Sequence, residues 1–212
     1  DLIMQFVNLK HALQLRLQQD LPGWHAHRTM ATDVHKEARY HPPEDSRKAG
    51  VLMLLYPNAN EWWFPLILRP TYQGVHSGQM ALPGGKVELA DQDIVATALR
   101  ETHEEIGVQV RRGQVLGTLS DIYIPPSNIT VTPVLAVGEI APDYLPDPEE
   151  VAEVVDIRLE DLQNPDNLAV REVGWINRAP LRAPAFKIRQ HIIWGATAMM
   201  LSEFLHIVQE LD

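Results

Sequence analysis

Three carboxylates within one helical turn set the chemistry open to this chain. Glu101, Glu104 and Glu105 stand at i, i+3 and i+4 in the run RETHEEIGV, a spacing that puts their side chains on one face of a helix. Like charges so placed destabilise an isolated helix by roughly a few tenths of a kcal/mol. The C-terminal end of a helix, where they fall, also disfavours anions. Two readings meet this cluster. One is a solvated acidic face, with Arg100 pairing to Glu104 a turn away. The other is a seat for a hard cation, Mg²⁺ or Mn²⁺, with water and a substrate phosphate completing the octahedron.

The local sequence supplies the elements that would hold such a face. Pro83-Gly84-Gly85 is a loop signal, since paired glycines permit unusual φ and close backbone approach. Asp91 and Asp93 offer N-cap side chains, Ile94–Leu99 has helical spacing, and Gly107 stands where a C′ glycine ends a helix. Val95, Leu99, Thr102 and Ile106 predict the buried stripe, with the glutamates on a different face.

The whole stretch from Leu82 to Val108 resembles the Nudix box, G-x5-E-x7-R-E-U-x-E-E-x-G-U with U a bulky aliphatic residue. Gly85, Arg100-Glu101, Glu104-Glu105, Gly107 and Val108 stand at matching positions. Asp91 occupies the place of the first glutamate, with eight residues between it and Arg100 where the pattern has seven, and Thr102 replaces an aliphatic residue. That expansion resembles the coenzyme A pyrophosphatase branch, as does IWGATA at 193–198. The segment Arg69–Ala81 also resembles the motif that precedes the box in that branch, with Gly74 where an arginine is usual.

The resemblance implies an α/β fold, a Nudix α/β/α sandwich with a mixed sheet between the box helix and a C-terminal helix. It implies metal-dependent hydrolysis of a nucleoside diphosphate-linked substrate, with coenzyme A or an acyl derivative favoured. ADP-ribose or a dinucleotide, and a nucleotide-sensing module without catalysis, are the alternatives. Carried residue by residue, it makes Arg100, Glu101, Glu104 and Glu105 the catalytic set. Glu101 and Glu105 are the first metal ligands, Glu104 shares a further ion, and the Gly85 or Gly84 carbonyl completes the set. Arg100 orients a glutamate by charge-assisted hydrogen bonding. A further carboxylate from outside the box is implied, with Glu150 the candidate and Glu149 and Glu153 still open. Arg47, Arg69, His76 and Ser77 are the substrate-binding candidates.

Composition bounds the rest. The 212 residues are 45% hydrophobic and 22% charged, enough for a sizeable core. A net charge of -10 argues against nucleic-acid binding and leaves an anionic substrate dependent on local cations. Without cysteine there is no disulfide frame, thiol nucleophile or thiolate zinc site, which suits a reducing cytoplasm. Neither a membrane-length apolar run nor a secretory signal is visible.

Residues 1–46 are expected to form a helix and an irregular arm packed on a domain spanning 47–212. Leu2, Phe6, Leu9, Leu13 and Leu17 mark the helical stripe, suited to capping the domain or packing in a homodimer. In the arm, His25, His27, His35 and His41 match no tight ligand pair and read as a solvated loop. Strands are expected at 49–56, 61–69, 110–119, 122–124, 129–137 and leading into 157. A short helix is expected at 159–162, a hairpin near 177–180, and a long helix beginning at Ile192.

Overall fold

The computed structural model describes residues 2–38, 42–71, 78–176 and 179–211. Its centre is β1 (Arg47–Asn58), whose run of apolar residues is buried along nearly its whole length. β1 turns through Ala59 and Asn60, both at positive φ, into β2 (Glu61–Leu68), pairing Asn58 with Glu61. β3 (Met80–Ala81) pairs with β2, and β4 (Gly84–Lys86) pairs with the start of β1. The box helix α4 (Ile94–Ile106) follows.

β5 (Val115–Thr118), β6 (Ile122–Ile124) and β7 (Ile129–Val137) come next. β7 lies parallel to β1, while β5 and β6 pair antiparallel to β7, so the sheet is mixed. β8 (Glu153–Arg158) pairs antiparallel to β2, and α5 (Leu159–Gln163) completes this region.

Alternation along the strands divides the core into two layers. Leu52 and Leu54 of β1, Ile67 of β2 and Val134 and Ala136 of β7 pack with Ala98 and Ile106 of the box helix. Met53, Leu55, Leu66, Leu135 and Val137 face the opposite way, toward the C-terminal helix α6 (Gly195–Gln209) and its Leu201, Phe204 and Leu205. This is the expected α/β/α arrangement.

The expected hairpin near 177–180 is present and belongs to a second sheet, β9 (Leu168–Ile176), β10 (Ala179–Ile188) and β11 (His191–Trp194), in the order β11-β10-β9. Three expectations are corrected. Ile192 and Trp194 therefore lie in a strand, and the final helix starts at Gly195, whose φ of 64° makes the corner. Arg189, at φ 55°, tightens the β10–β11 turn just before it.

The N-terminal arm is also more ordered than expected. After α1 (Leu2–Arg16) come α2 (Trp24–His27) and α3 (Asp33–Ala38), and Leu13, Met30 and Ala31 enter the main core. His27 and His35 are buried, not solvated: His27 Nε2 lies 3.2 Å from Glu203 Oε2, and His35 Nδ1 lies 2.7 Å from Thr32 Oγ1. Burial on neighbouring elements, invisible in their spacing, decides their environment. His41 lies outside the described residues.

Candidate active site

The box helix is capped as its sequence requires. Asp93 Oδ1 accepts from the Ala96 N–H at 2.9 Å, and Gly107, at φ 72°, donates its N–H to the His103 carbonyl at 2.9 Å. Thr102 is fully buried, and its hydroxyl donates to the Ala98 carbonyl at 2.7 Å, so that hydroxyl is not stranded. The buried stripe is rotated from expectation. Thr97, Ala98, Thr102, Glu105 and Ile106 are buried, while Val95 and Leu99 are only partly so. One of the three glutamates thus belongs to the face that packs on the sheet.

Glycines bring that face close. A Cβ on Gly85 would lie 2.3 Å from the Glu101 carboxylate, and one on Gly50 would lie 2.7 Å from the Ile94 carbonyl. The Gly84 N–H donates to Glu105 Oε2 at 2.8 Å. The helix, β4 and the start of β1 therefore meet at a backbone-lined seam into which Glu101 and Glu105 point.

The three carboxylates differ in surroundings. Glu105 is 3% exposed. Burial pushes its carboxyl up to about 7, against the opposing pull of Arg69 and the Gly84 N–H, and the negative charges of Glu101 and Glu150 push the same way as burial. Glu101 is also raised, first by burial and then by Glu104 and Glu150, although Arg100 pulls it down. Glu104 reaches solvent.

Arg100 gathers the cluster. Its Nε and Nη2 each donate to Asp91 at 2.9 Å, a two-pronged contact. Its Nη1 donates to Glu101 Oε1 at 2.9 Å and Glu104 Oε2 at 3.0 Å, and its Nη2 reaches the Lys86 carbonyl at 3.0 Å. Asp91, bound also by the Glu88 N–H and Thr97 Oγ1, is held well below the usual carboxylate range, chiefly by Arg100. Asp91 is thus an anchor for Arg100, while Asp93 alone caps the helix.

The remaining candidates fall in different places. Arg69 follows β2, its N–H donating to the Gln79 carbonyl at 3.0 Å, and its charge is felt at Glu105. Glu150, from the span between β7 and β8, is felt at both Glu101 and Glu105. Arg47 begins β1 and donates to the Ser127 carbonyl at 2.6 Å. His76 and Ser77 lie outside the described residues. Sequence reasoning missed Gly50, whose only signal was a glycine inside an apolar strand, and the way Asp147 ties the Glu150 span to the helix, which had none.

The donor set suits a hard divalent cation. Its groups are oxygens, and two of its carboxylates are raised by burial and by mutual repulsion that a cation would relieve. Among the described residues no three such side chains already stand converged around one point. Arg100 holds one oxygen each of Glu101 and Glu104.

Comparison with known proteins identifies the family. The model of the NUDIX domain family matches residues 46–178. The human protein named mitochondrial coenzyme A diphosphatase NUDT8 is 41% identical over 133 residues, 62% of this chain and 56% of that protein. Its mouse counterpart is 37% identical over 129 residues, 60% of this chain and 61% of that protein, so the chain spans less than two thirds of either relative. A Nudix hydrolase NudL of Photorhabdus laumondii is 32% identical over 137 residues, 63% of this chain and 71% of that protein. Among solved structures, a MutT/nudix family protein from Enterococcus faecalis matches with a TM-score of 0.55 at 18% identity, covering 86% of this chain and 72% of that one. The C. elegans Ap4A hydrolase binary complex matches with a TM-score of 0.51 at 16% identity, covering 77% and 98%. The chain belongs to the NUDIX domain family.

Proposed function

We propose that this chain hydrolyses a nucleoside diphosphate-linked substrate with the help of Mg²⁺ or Mn²⁺, and that coenzyme A or an acyl-coenzyme A, cut at its diphosphate, is that substrate. One observation carries the reading: Glu101 and Glu105 meet at the Gly84–Gly85 seam within electrostatic reach of Glu150 and Arg69. The naming of the human and mouse relatives as coenzyme A diphosphatases supports the choice of substrate.

Glu101, Glu105 and the Gly85 carbonyl would hold the cation, with Glu104 and Glu150 joining from solvent. When bound, it would supply positive charge at the diphosphate and acidify water. The chain's own groups do the rest. The Gly84 N–H fixes one oxygen of Glu105, and Arg100, locked by Asp91, fixes the orientation of Glu101. Arg69, whose charge is felt at Glu105, would meet a phosphate oxygen, supplying locally what a net charge of -10 cannot supply at long range. Water then attacks one phosphorus in line as the other phosphate leaves.

The test is a substrate panel with each metal, read by product mass: coenzyme A, acetyl-coenzyme A, dephospho-coenzyme A, ADP-ribose and a dinucleoside polyphosphate. Coenzyme A should yield two phosphomonoesters, phosphopantetheine and adenosine 3′,5′-bisphosphate. Preference for ADP-ribose or the dinucleotide would overturn the coenzyme A assignment. Nucleotide binding without any cleavage would overturn the hydrolase reading itself.

A further inference from the structure

Glu150 is exposed and sits on a span with no regular secondary structure, yet that span is pinned from Tyr144 onward. Between β7 and β8 the chain crosses the C-terminal end of the box helix. The Leu145 N–H donates to the Ile106 carbonyl and the Asp147 N–H to the Glu105 carbonyl, each at 2.9 Å. Two carbonyls that the helix end leaves without intrahelical partners are satisfied in this way. The Glu149 N–H donates to Asp147 Oδ1 at 2.9 Å, and the Glu150 and Val151 N–H groups donate to the Asp147 carbonyl at 3.1 and 2.8 Å. The Ala152 N–H closes on the Leu68 carbonyl at 2.9 Å, beside Arg69. The residues between, Pro146 and Pro148, have no N–H to place. A Cβ on Gly107 would lie 2.7 Å from Leu145 Cβ, so the helix-ending glycine also makes room for the crossing. Upstream, Tyr144 Oη donates to Asp156 Oδ1 at 2.5 Å, and downstream Val151 is buried.

We infer that Asp147 is a positioning residue for Glu150. Its N–H ties the span to the carbonyl of Glu105, and its carboxylate and carbonyl gather Glu149, Glu150 and Val151 into the turn that presents Glu150 to Glu101 and Glu105. Asp147 acts through Glu150, so its carboxylate serves as a hydrogen-bond acceptor and its charge is incidental. This rests on the reading above, in which Glu150 helps to hold the cation.

The experiment is a Mn²⁺ titration of the purified chain, with free Mn²⁺ read by electron paramagnetic resonance and no substrate present. Asp147→Ala should weaken Mn²⁺ affinity about tenfold, as loss of a group that orients a ligand does. Asp147→Asn keeps an acceptor for the Glu149 N–H and should recover most of that loss. In a Glu150→Gln background, Asp147→Ala should change affinity less than about twofold, because the residue it positions no longer binds. Circular dichroism accompanies each variant. Should Asp147→Ala fail to fold, Tyr144→Phe, which removes the upstream anchor and keeps the ring, should weaken Mn²⁺ about threefold with the same dependence on Glu150.

Asp147→Asn as damaging as Asp147→Ala would make Asp147 a ligand in its own right and overturn the inference. Equal losses with and without Glu150 would also overturn it. Wild-type chain that binds no Mn²⁺ would instead sink the metal reading of the proposed function, and this inference with it.

Discussion

Among the described residues two carboxylates are buried, on helices at opposite faces of the sheet, and they are treated in opposite ways. Glu203, in the middle of α6, has no exposed surface. It accepts from the Gly23 N–H at 2.7 Å, the Ser120 N–H at 2.9 Å and Ser120 Oγ at 2.6 Å, and His27 Nε2 lies 3.2 Å away. Burial would raise its carboxyl, but His27, Ser120 and the Gly23 N–H together outweigh burial and hold it below the ordinary value. Glu105 accepts from the Gly84 N–H and faces Glu101 and Glu150, and its carboxyl is pushed up to about 7. A satisfied buried charge fastens structure: Glu203 ties α2 and the β5–β6 turn to α6. A buried charge opposed by like charges needs a proton or a positive partner, and under the proposed function a divalent cation would be that partner for Glu105.

The largest expected effect breaks the Glu105 side of this contrast. Glu105→Gln should cost turnover about a thousandfold, since a lost metal ligand removes several kcal/mol of transition-state stabilisation. The circular dichroism of the variant should stay that of the wild type. Turnover that persists in excess chelator would show that the cluster serves some other purpose.

Next in size is the Glu203 side. Glu203→Ala strands several buried donors at once and should cost about 3 kcal/mol or more in stability, read as a shift of the urea midpoint. Residual turnover per folded molecule should be near that of the wild type. A variant that is fully stable but inactive would reverse the roles assigned to the two residues.

pH should separate the two groups by sign. The carboxyl of Glu105 has a folded-state value raised from 4.5 to about 7, so the folded chain binds the proton more tightly than the unfolded chain. Chelator-treated protein should therefore lose stability as pH rises between these values, by about 3 kcal/mol at most, and Glu105→Gln should flatten that slope. Glu203 is shifted down, so its contribution is present above its unfolded value and is lost as pH falls through the folded one. Urea midpoints from acid to neutral pH, with and without each glutamate, would measure both slopes.

The smallest effect concerns substrate. Arg69 stands with the glutamates, whereas Arg47 is held at the Ser127 carbonyl. Under the coenzyme A reading the 3′-phosphate needs its own cation. Dephospho-coenzyme A should then be cleaved about tenfold less efficiently than coenzyme A, the worth of one charge-assisted contact. Arg47→Ala should narrow that gap, and Arg69→Ala should slow both substrates alike. A gap unchanged by Arg47→Ala would move the 3′-phosphate contact elsewhere.

Local sequence encodes only what a few neighbouring residues can specify. Asp93, the glutamate spacing and Gly107 specify the box helix and its acidic turn, because caps and periodicity act within a turn or two. Apolar runs specify β1, β2 and β7, and Leu159–Leu162 its short helix. What needed tertiary structure was each contact between distant segments. Thr102 and Glu105 were legible as helix positions, yet their burial depends on the close approach of Gly50 and Gly84–Gly85 to the helix. Ile192–Trp194 had helical spacing but became a strand through its pairing with β10, since a short apolar run satisfies either period. Glu150 is 45 residues from Glu105 in the sequence, and its charge reaches Glu105 because β8 pairs with β2 and the Asp147 N–H ties the intervening span to the helix end. Such pairings follow from how faces pack across the sheet, which no local pattern contains.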